Sequence, residues 1–386
     1  MFLNHIGQTS FSPLALEIVK ANGCNIWDVT GKEYIDLIGG ISVCNVGHRH
    51  PEVIAAIKHQ LDKYLHVMVN GELVLSPQTA FAKLLTSHLP SILNSVFFTA
   101  SGTEATEGAM KLAKRVTGRT QIIAFSKSYH GSTQGALSVM GDEYWRNAFR
   151  PLLPDVLHLN YNSFQDLELI TDRAACVIAE TIQAEAGVIC PANGWLQALK
   201  ETCSKNGTLL VLDEIQCGFG RNGTLWAFEQ FDVIPDILLL GKALGGGMPI
   251  GAFIADKQLM DHFAFNPVLG NINTFGGHPV CCAGGMAAME VLLNEKLIDQ
   301  VNQKATLFLE FLKHPRIKAI RNSGLMIAVE FENFEENKKI IDALIRNGVF
   351  TDWFLFAPQC LRIVPPLTIS EEQIMNACKI ITRCLG

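Results

Sequence analysis

The chain has 386 residues, 48% of them hydrophobic, with 31 basic against 37 acidic side chains and a formal net charge of −6. Such a length exceeds one ordinary core and points to two or three domains, or to one large α/β domain with attachments. Without a positive field or a long basic run, nucleic acid is disfavoured as a partner, and no apolar stretch of about 18 residues offers a membrane span.

The opening "MFLNHIGQTSFSPLALEIVK" has no basic leader followed by an apolar core, so a secretory signal is not expected. The segment "CNIWDVTGKEYIDL" reads as a hairpin within the first 45 or so residues. From about residue 80 to 290, helical patterns alternate with the apolar runs "SVFFTA" (95–100), "QIIAF" (121–125), "ACVIAE" (175–180), "TLLVLDE" (208–214), "DILLLG" (236–241) and "PIGAFIA" (249–255). Continuous runs of this kind between helices predict strands buried on both faces of a mainly parallel sheet.

Two helices in this region have legible ends. "TEATEGAMKLAKRVTG" carries acids first, bases later and Gly118 as a stop, and "GWLQALKETCSKNG" stops at Gly207. Beyond about residue 285 come a helical segment, a strand in "LMIAVEF" (325–331), the helix "EENKKIIDALIRNG" (335–348), a strand near "LRIV" (361–364) and a last helix opened at Ser370. The predicted organisation is a large α/β domain over 46–285 and a small α+β domain over 286–386, joined by residues 1–45. The 11 cysteines are odd in number and contain no Cys-x-x-Cys pair, so reduced, mostly buried thiols and a cytoplasmic setting are expected.

In a sheet of this type ligands gather at the carboxyl ends of the strands, where three places stand out. In "FFTASGTEATEG", Ser101, Gly102 and Thr103 open a helix. Unpaired N–H groups and hydroxyls there would cup an anion, although Ser101 with Glu104 also reads as a plain capping box. In "TLLVLDE", Asp213 follows an apolar run. A buried carboxylate that loses its partner costs roughly 3–5 kcal/mol, so Asp213 should face a cation or a protonated ring nitrogen, unless it merely caps the next turn.

The third place is "DILLLGKALGGG", where Lys242 ends a buried run. A triphosphate loop is excluded, because Asp236 stands where its first glycine belongs and Ala243 where Ser or Thr must follow the lysine. That leaves a capping lysine or a reactive one. Desolvation would free the amine to attack a carbonyl, and the glycines would let a planar ligand approach the backbone. An anion cup, a strand-end Asp and a strand-end Lys together suit pyridoxal phosphate.

With these motifs the sequence resembles the class III, or ω-, aminotransferases of fold type I, in the pattern of acetylornithine and ornithine aminotransferases. The likeness runs from "GCNIWDVTGKEYIDLIGGISVCNVGHRHP" to "LRIVPPLTISEEQI", with "DEIQCGFGR" and "LLLGKALGGGMPIGA" as its most specific parts. It implies a seven-stranded, mainly parallel sheet flanked by helices and a small α+β domain. It also implies that Lys242 joins the cofactor aldehyde, Asp213 pairs with the pyridinium and Gln216 bonds the ring hydroxyl. Ser101, Gly102 and Thr103 would form the phosphate site, Tyr129 would stack on the ring, and His130 would line the cofactor site. Thr274 in "NTFGGHP" would reach the phosphate of a neighbouring subunit, implying a homodimer with shared sites. Arg362 would grip the carboxylate of 2-oxoglutarate or glutamate, and Glu185 would pair with Arg362 when no such carboxylate is bound.

Two positions depart from the family pattern where the donor is held. The family's "FHGRT" reads "YHGST" here, with Ser132 in place of an arginine for the donor's α-carboxylate, and Asn273 replaces a serine. The expected reaction moves the terminal amino group of an ornithine-like donor to 2-oxoglutarate. A 4-aminobutyrate-type or other amine donor is the alternative, and an aminomutase, a racemase, a decarboxylase or a cofactor-binding regulator are the remaining classes. His48 and His50 in "GHRHP" lack a third ligand, so turn and helix-capping roles are expected and no metal is called for.

Overall fold

The structure is a computed structural model describing residues 1–69 and 71–386. Its centre is a sheet of seven strands: β1 (Ser95–Thr99), β2 (Gln121–Phe125), β3 (Val156–Leu159), β4 (Ala174–Glu180), β5 (Leu209–Asp213), β6 (Ile237–Leu240) and β7 (Gly251–Ala255). Their order across the sheet is β1-β7-β6-β5-β4-β2-β3. Neighbours from β6 to β3 run parallel, and β7 alone is antiparallel to both of its partners. Every residue of β4, β6 and β7 is buried, which is why these stretches read as unbroken apolar runs rather than alternating ones.

Helix α1 (Gly102–Thr117) starts where β1 ends, and left-handed Gly118 stops it. Helix α2 (Trp195–Asn206) ends likewise on Gly207. Helix α3 (Pro279–Asn294), rich in small residues, packs on the turn after β6.

Two smaller sheets flank this core. Ile18–Asn22, Asn25–Asp28 and Glu33–Asp36 form an antiparallel set, to which Val349–Phe350 adds in parallel beside Glu33–Asp36. The other sheet pairs Ala319–Ser323, Met326–Glu330, Ala357–Ile363 and Trp353–Phe354, all antiparallel. Helix α4 (Phe334–Arg346) and helix α5 (Glu371–Leu385) complete the C-terminal region, the latter opened by a Ser370–Gln373 capping box.

All eleven cysteines are unpaired, and only Cys190 is exposed. Among the described residues no helix is long and apolar enough to cross a membrane, and no cluster of His, Cys, Asp or Glu could hold a metal ion. His48 bonds Asp36 at 2.7 Å, and Asp36 in turn accepts the Ile38 and Gly39 N–H groups and so pins that turn. His50 is the N-cap residue of helix Pro51–Leu61, although its side chain makes no cap hydrogen bond and its Nε2 lies 3.1 Å from Glu295 instead.

Candidate active site

The parallel register aligns the strand ends. Glu180 lies opposite Asp213, and Asp213 opposite Leu239, so β4, β5 and β6 deliver their last residues to one edge. A cavity of about 290 Å³ opens there. Its walls include Gly102, Thr103, Tyr129, His130, Ser132, Asp213, Gln216 and Lys242, eight residues anticipated from the sequence.

Lys242 follows an extended Gly241 and itself adopts φ +47°, a left-handed conformation uncommon outside glycine. Strain of this kind costs about 1–3 kcal/mol and persists where packing enforces it. Here the enforcing packing comes from α3. A Cβ on left-handed Gly246 would come within 2.7 Å of Ala288 Cβ and 2.9 Å of the Gly284 carbonyl. This corrects the expectation that glycines 245–247 make room for a ligand. None of the three lines the cavity; Gly245 abuts Ile250, Gly246 lets the turn press against α3, and Gly247 faces open space. The close approach to the cavity falls to Gly131, where a Cβ would overlap Thr103 Oγ1.

The Lys242 amine donates to Gln216 Oε1 at 3.1 Å. Burial lowers its pKa against the opposing pull of the Glu185, Asp213 and Glu180 charges. Asp213 accepts from Ile215 N at 2.9 Å and from His130 Nδ1 at 2.7 Å. A carboxylate only accepts, so Nδ1 carries the proton, and the other ring nitrogen, Nε2, is buried without a partner. Gln216 Nε2 is likewise buried and unpartnered. Two cavity-lining residues thus retain hydrogen-bonding capacity that no described residue satisfies.

Ser101 is not on the cavity wall; its Oγ takes the Glu104 N–H at 3.4 Å as the cap of α1. Asn273 also lies off that wall, accepting from Gly276 N at 2.9 Å and donating to the Phe98 carbonyl at 3.3 Å. Thr274 is exposed in the same loop.

Glu185 and Arg362 stand beside the cavity as a buried pair, Nη1 to Oε1 at 2.7 Å and Nη2 to Oε2 at 2.9 Å. Burial opposes the charged form of Glu185, but the Arg362 charge and its hydrogen bonds hold that carboxyl below its ordinary range. The charges of both residues reach Lys242.

Several contributors escaped the sequence reading. Glu180 lines the cavity, accepts from Tyr129 N at 3.0 Å and Ala184 N at 2.9 Å, and is pushed by burial up to about 7. The rule that singled out Asp213, an acid ending an apolar run, applies equally to "ACVIAE" and would have found it. Ile215 adds an apolar wall against Gly102 and Gly241. Behind the cup, Thr133 Oγ1 lies 2.7 Å from Thr103 Oγ1 and donates to Glu107 at 2.6 Å, a network no local pattern announces.

A sheet that brings a desolvated lysine, a strand-end aspartate and a helix start to one cavity is an arrangement for an aldehyde-bearing, phosphorylated cofactor. The class III aminotransferase model matches residues 6–385. The chain therefore belongs to the class III aminotransferases, enzymes that use pyridoxal phosphate to transfer amino groups. It is 39% identical to the acetylornithine aminotransferase of Methanopyrus kandleri over 371 residues, spanning 95% of this chain and 94% of that protein. Among solved structures it is similar to the ornithine aminotransferase of Toxoplasma gondii, which holds pyridoxal phosphate at partial occupancy in its active site; the TM-score is 0.91 at 30% identity, covering 99% and 92% of the two chains. It is also similar to an (S)-enantioselective ω-transaminase of Thermomicrobium roseum, with a TM-score of 0.92 at 28% identity and coverage of 100% and 96%.

Proposed function

We propose that this enzyme moves the terminal amino group of an ornithine-like donor, free or acylated, to 2-oxoglutarate. The observation that carries the reading is the Glu185–Arg362 pair beside Lys242. A guanidinium covered by a movable carboxylate suits an enzyme that must accept, in turn, an amine with no carboxylate next to its reacting carbon and an oxo acid that has one. The donor assignment rests on overall likeness to acetylornithine and ornithine aminotransferases.

Bound pyridoxal phosphate supplies an aldehyde that captures the amine and a ring that accepts the electron pair of the reacting carbon. The chain's own residues fit that group. Lys242 would hold the aldehyde and, when free of it, would serve as the general base for the proton of the substrate carbon. Asp213, kept in place by His130 and Ile215 N, stabilises a protonated ring nitrogen. The orphan Gln216 Nε2 is available to the ring hydroxyl, the N–H groups at the start of α1 to the phosphate, and Tyr129 to the ring face.

The surface around Thr274 supports a homodimer with shared sites. Ile272, Phe275, Val268 and Leu269 are 58%, 56%, 72% and 56% exposed, an apolar concentration that marks an interaction face. In that assembly Thr274 reaches the partner's phosphate site.

A 4-aminobutyrate-type or other simple ω-amine is the second reading, and Ser132 favours it. Ser132 Oγ lies 3.2 Å from Tyr129 Oη, so this wall offers hydroxyls, and among the described residues Lys242 is the sole cation on the cavity lining. The test is Ser132→Arg assayed with ornithine, N-acetylornithine and 4-aminobutyrate. One charge-assisted contact should raise kcat/KM for donors with a distant α-carboxylate by roughly 10-fold and leave 4-aminobutyrate unchanged. A variant that leaves all three donors unaltered would remove Ser132 from the donor wall, and a wild-type enzyme active only on 4-aminobutyrate would replace the first reading with the second.

A further inference from the structure

Arg362 is held on more sides than its exchange with Glu185 requires. Besides the two Glu185 bonds, Nη2 donates to the Trp353 carbonyl at 2.7 Å, and the Phe354 ring centre lies 4.6 Å from the guanidinium carbon. Asp352 Oδ1 lies 2.8 Å from Nε, as an ion pair out of line for a hydrogen bond. Two carboxylates therefore share one cation, and the cluster carries one surplus negative charge.

The two carboxylates are mounted differently. Glu185 arrives from the loop after β4; its Oε2 also accepts from Leu355 N at 2.9 Å and its carbonyl from Phe356 N at 3.0 Å, so a side chain that leaves Arg362 gives up the Leu355 bond as well, while the backbone contact to the hairpin turn stays. Asp352 belongs to the same hairpin as Arg362. The Arg362 N–H donates to the Asp352 carbonyl at 2.9 Å, and Thr351 Oγ1 donates to the Arg362 carbonyl at 2.6 Å. Whatever draws Glu185 away leaves Asp352 where it is.

We infer that Asp352 is a positioning residue, a fixed counter-ion on Nε that keeps the Nη edge of Arg362 directed to the place Glu185 vacates. An incoming carboxylate then meets a preset fork, and ordering that fork costs nothing at the moment of binding. The surplus charge also weakens the hold of Arg362 on Glu185 and eases the exchange. This inference rests on the proposal that Arg362 receives the acceptor's carboxylate.

Burial, with the Glu185 and Asp36 charges behind it, pushes Asp352 up to about 6 against the pull of Arg362. Asp36 is itself paired with His48. Asp352 is therefore charged at neutral pH and loses its charge as pH falls through about 6.

The test compares wild type with Asp352→Asn in the acceptor half-reaction, starting from the aminated holoenzyme and using 2-oxoglutarate or butanal, a carbonyl compound without a carboxylate. The variant should raise KM for 2-oxoglutarate about 10-fold with little change in kcat, and react with butanal as wild type does. The wild-type KM for 2-oxoglutarate should rise as pH falls through about 6, whereas that of the variant stays high and flat. A variant with the wild-type KM, or one slowed equally with butanal, overturns the inference alone. A wild-type enzyme that prefers no 2-oxo acid over butanal overturns the carboxylate-reading role of Arg362, and the inference with it.

Discussion

Replacing Lys242 with alanine is expected to lower amino transfer by about 10⁴-fold or more, the upper range for loss of a general base, and to abolish the visible absorbance of the lysine-linked cofactor. The expectation follows from position. Lys242 opens the turn after a fully buried strand, its amine has Gln216 as its hydrogen-bonding partner at 3.1 Å, and burial favours the neutral, nucleophilic form. The fold should survive, because Ala243, Leu244, Gly246 and α3 hold the left-handed turn without the lysine side chain. Circular dichroism and turnover, measured together, check this; a well-folded variant with full activity would remove the lysine from the chemistry.

Replacing Asp213 with alanine is the second large effect. Turnover should fall by roughly 10²- to 10³-fold, the loss typical when a preorganised group facing developing charge is removed. Cofactor affinity should weaken as well. The same change leaves His130 Nδ1 and Ile215 N without their acceptor, at about 1–3 kcal/mol for each buried group left unpaired. Asp213→Asn separates the two consequences. An amide can still accept from Ile215 N but carries no charge for a ring nitrogen, so stability should largely return while turnover stays low. Unimpaired turnover in either variant would contradict the pyridinium role.

The parts of this site that were legible in the sequence are those set by local chemistry. A charged residue closing an apolar run must sit at a strand end, which located Asp213 and Lys242, and a hydroxyl–glycine–hydroxyl stretch before a helix located Gly102 and Thr103. Glu180 obeys the same rule and was passed over, although it lies opposite Asp213 in the register. Strand β3 was illegible because its four residues include His158 and break the apolar run. The antiparallel course of β7 and the parallel pairing of Glu33–Asp36 with Val349–Phe350 are long-range facts that no window of sequence encodes. The glycines after Lys242 misled for a related reason: the partner of Gly246 is α3, some 40 residues on, and close packing of two backbones looks the same in sequence as room for a ligand.

Donor recognition was the least legible part. The family pattern places an arginine where Ser132 stands, and the hydroxyl pair of Tyr129 and Ser132 offers hydrogen bonds without charge. By contrast, the side proposed to receive the acceptor's carboxylate has two acids against Arg362, Glu185 from the loop after β4 and Asp352 from the arginine's own hairpin.

The most direct measurement of the central claim follows the nitrogen itself. Ornithine and N-acetylornithine labelled with ¹⁵N at the terminal position are incubated singly with the holoenzyme and 2-oxoglutarate, and glutamate is analysed by mass spectrometry. The account predicts ¹⁵N-glutamate from at least one of them, with no transfer when 2-oxoglutarate is omitted and none from the Lys242→Ala variant. Unlabelled glutamate from both donors, or label released without any oxo acid, would contradict it.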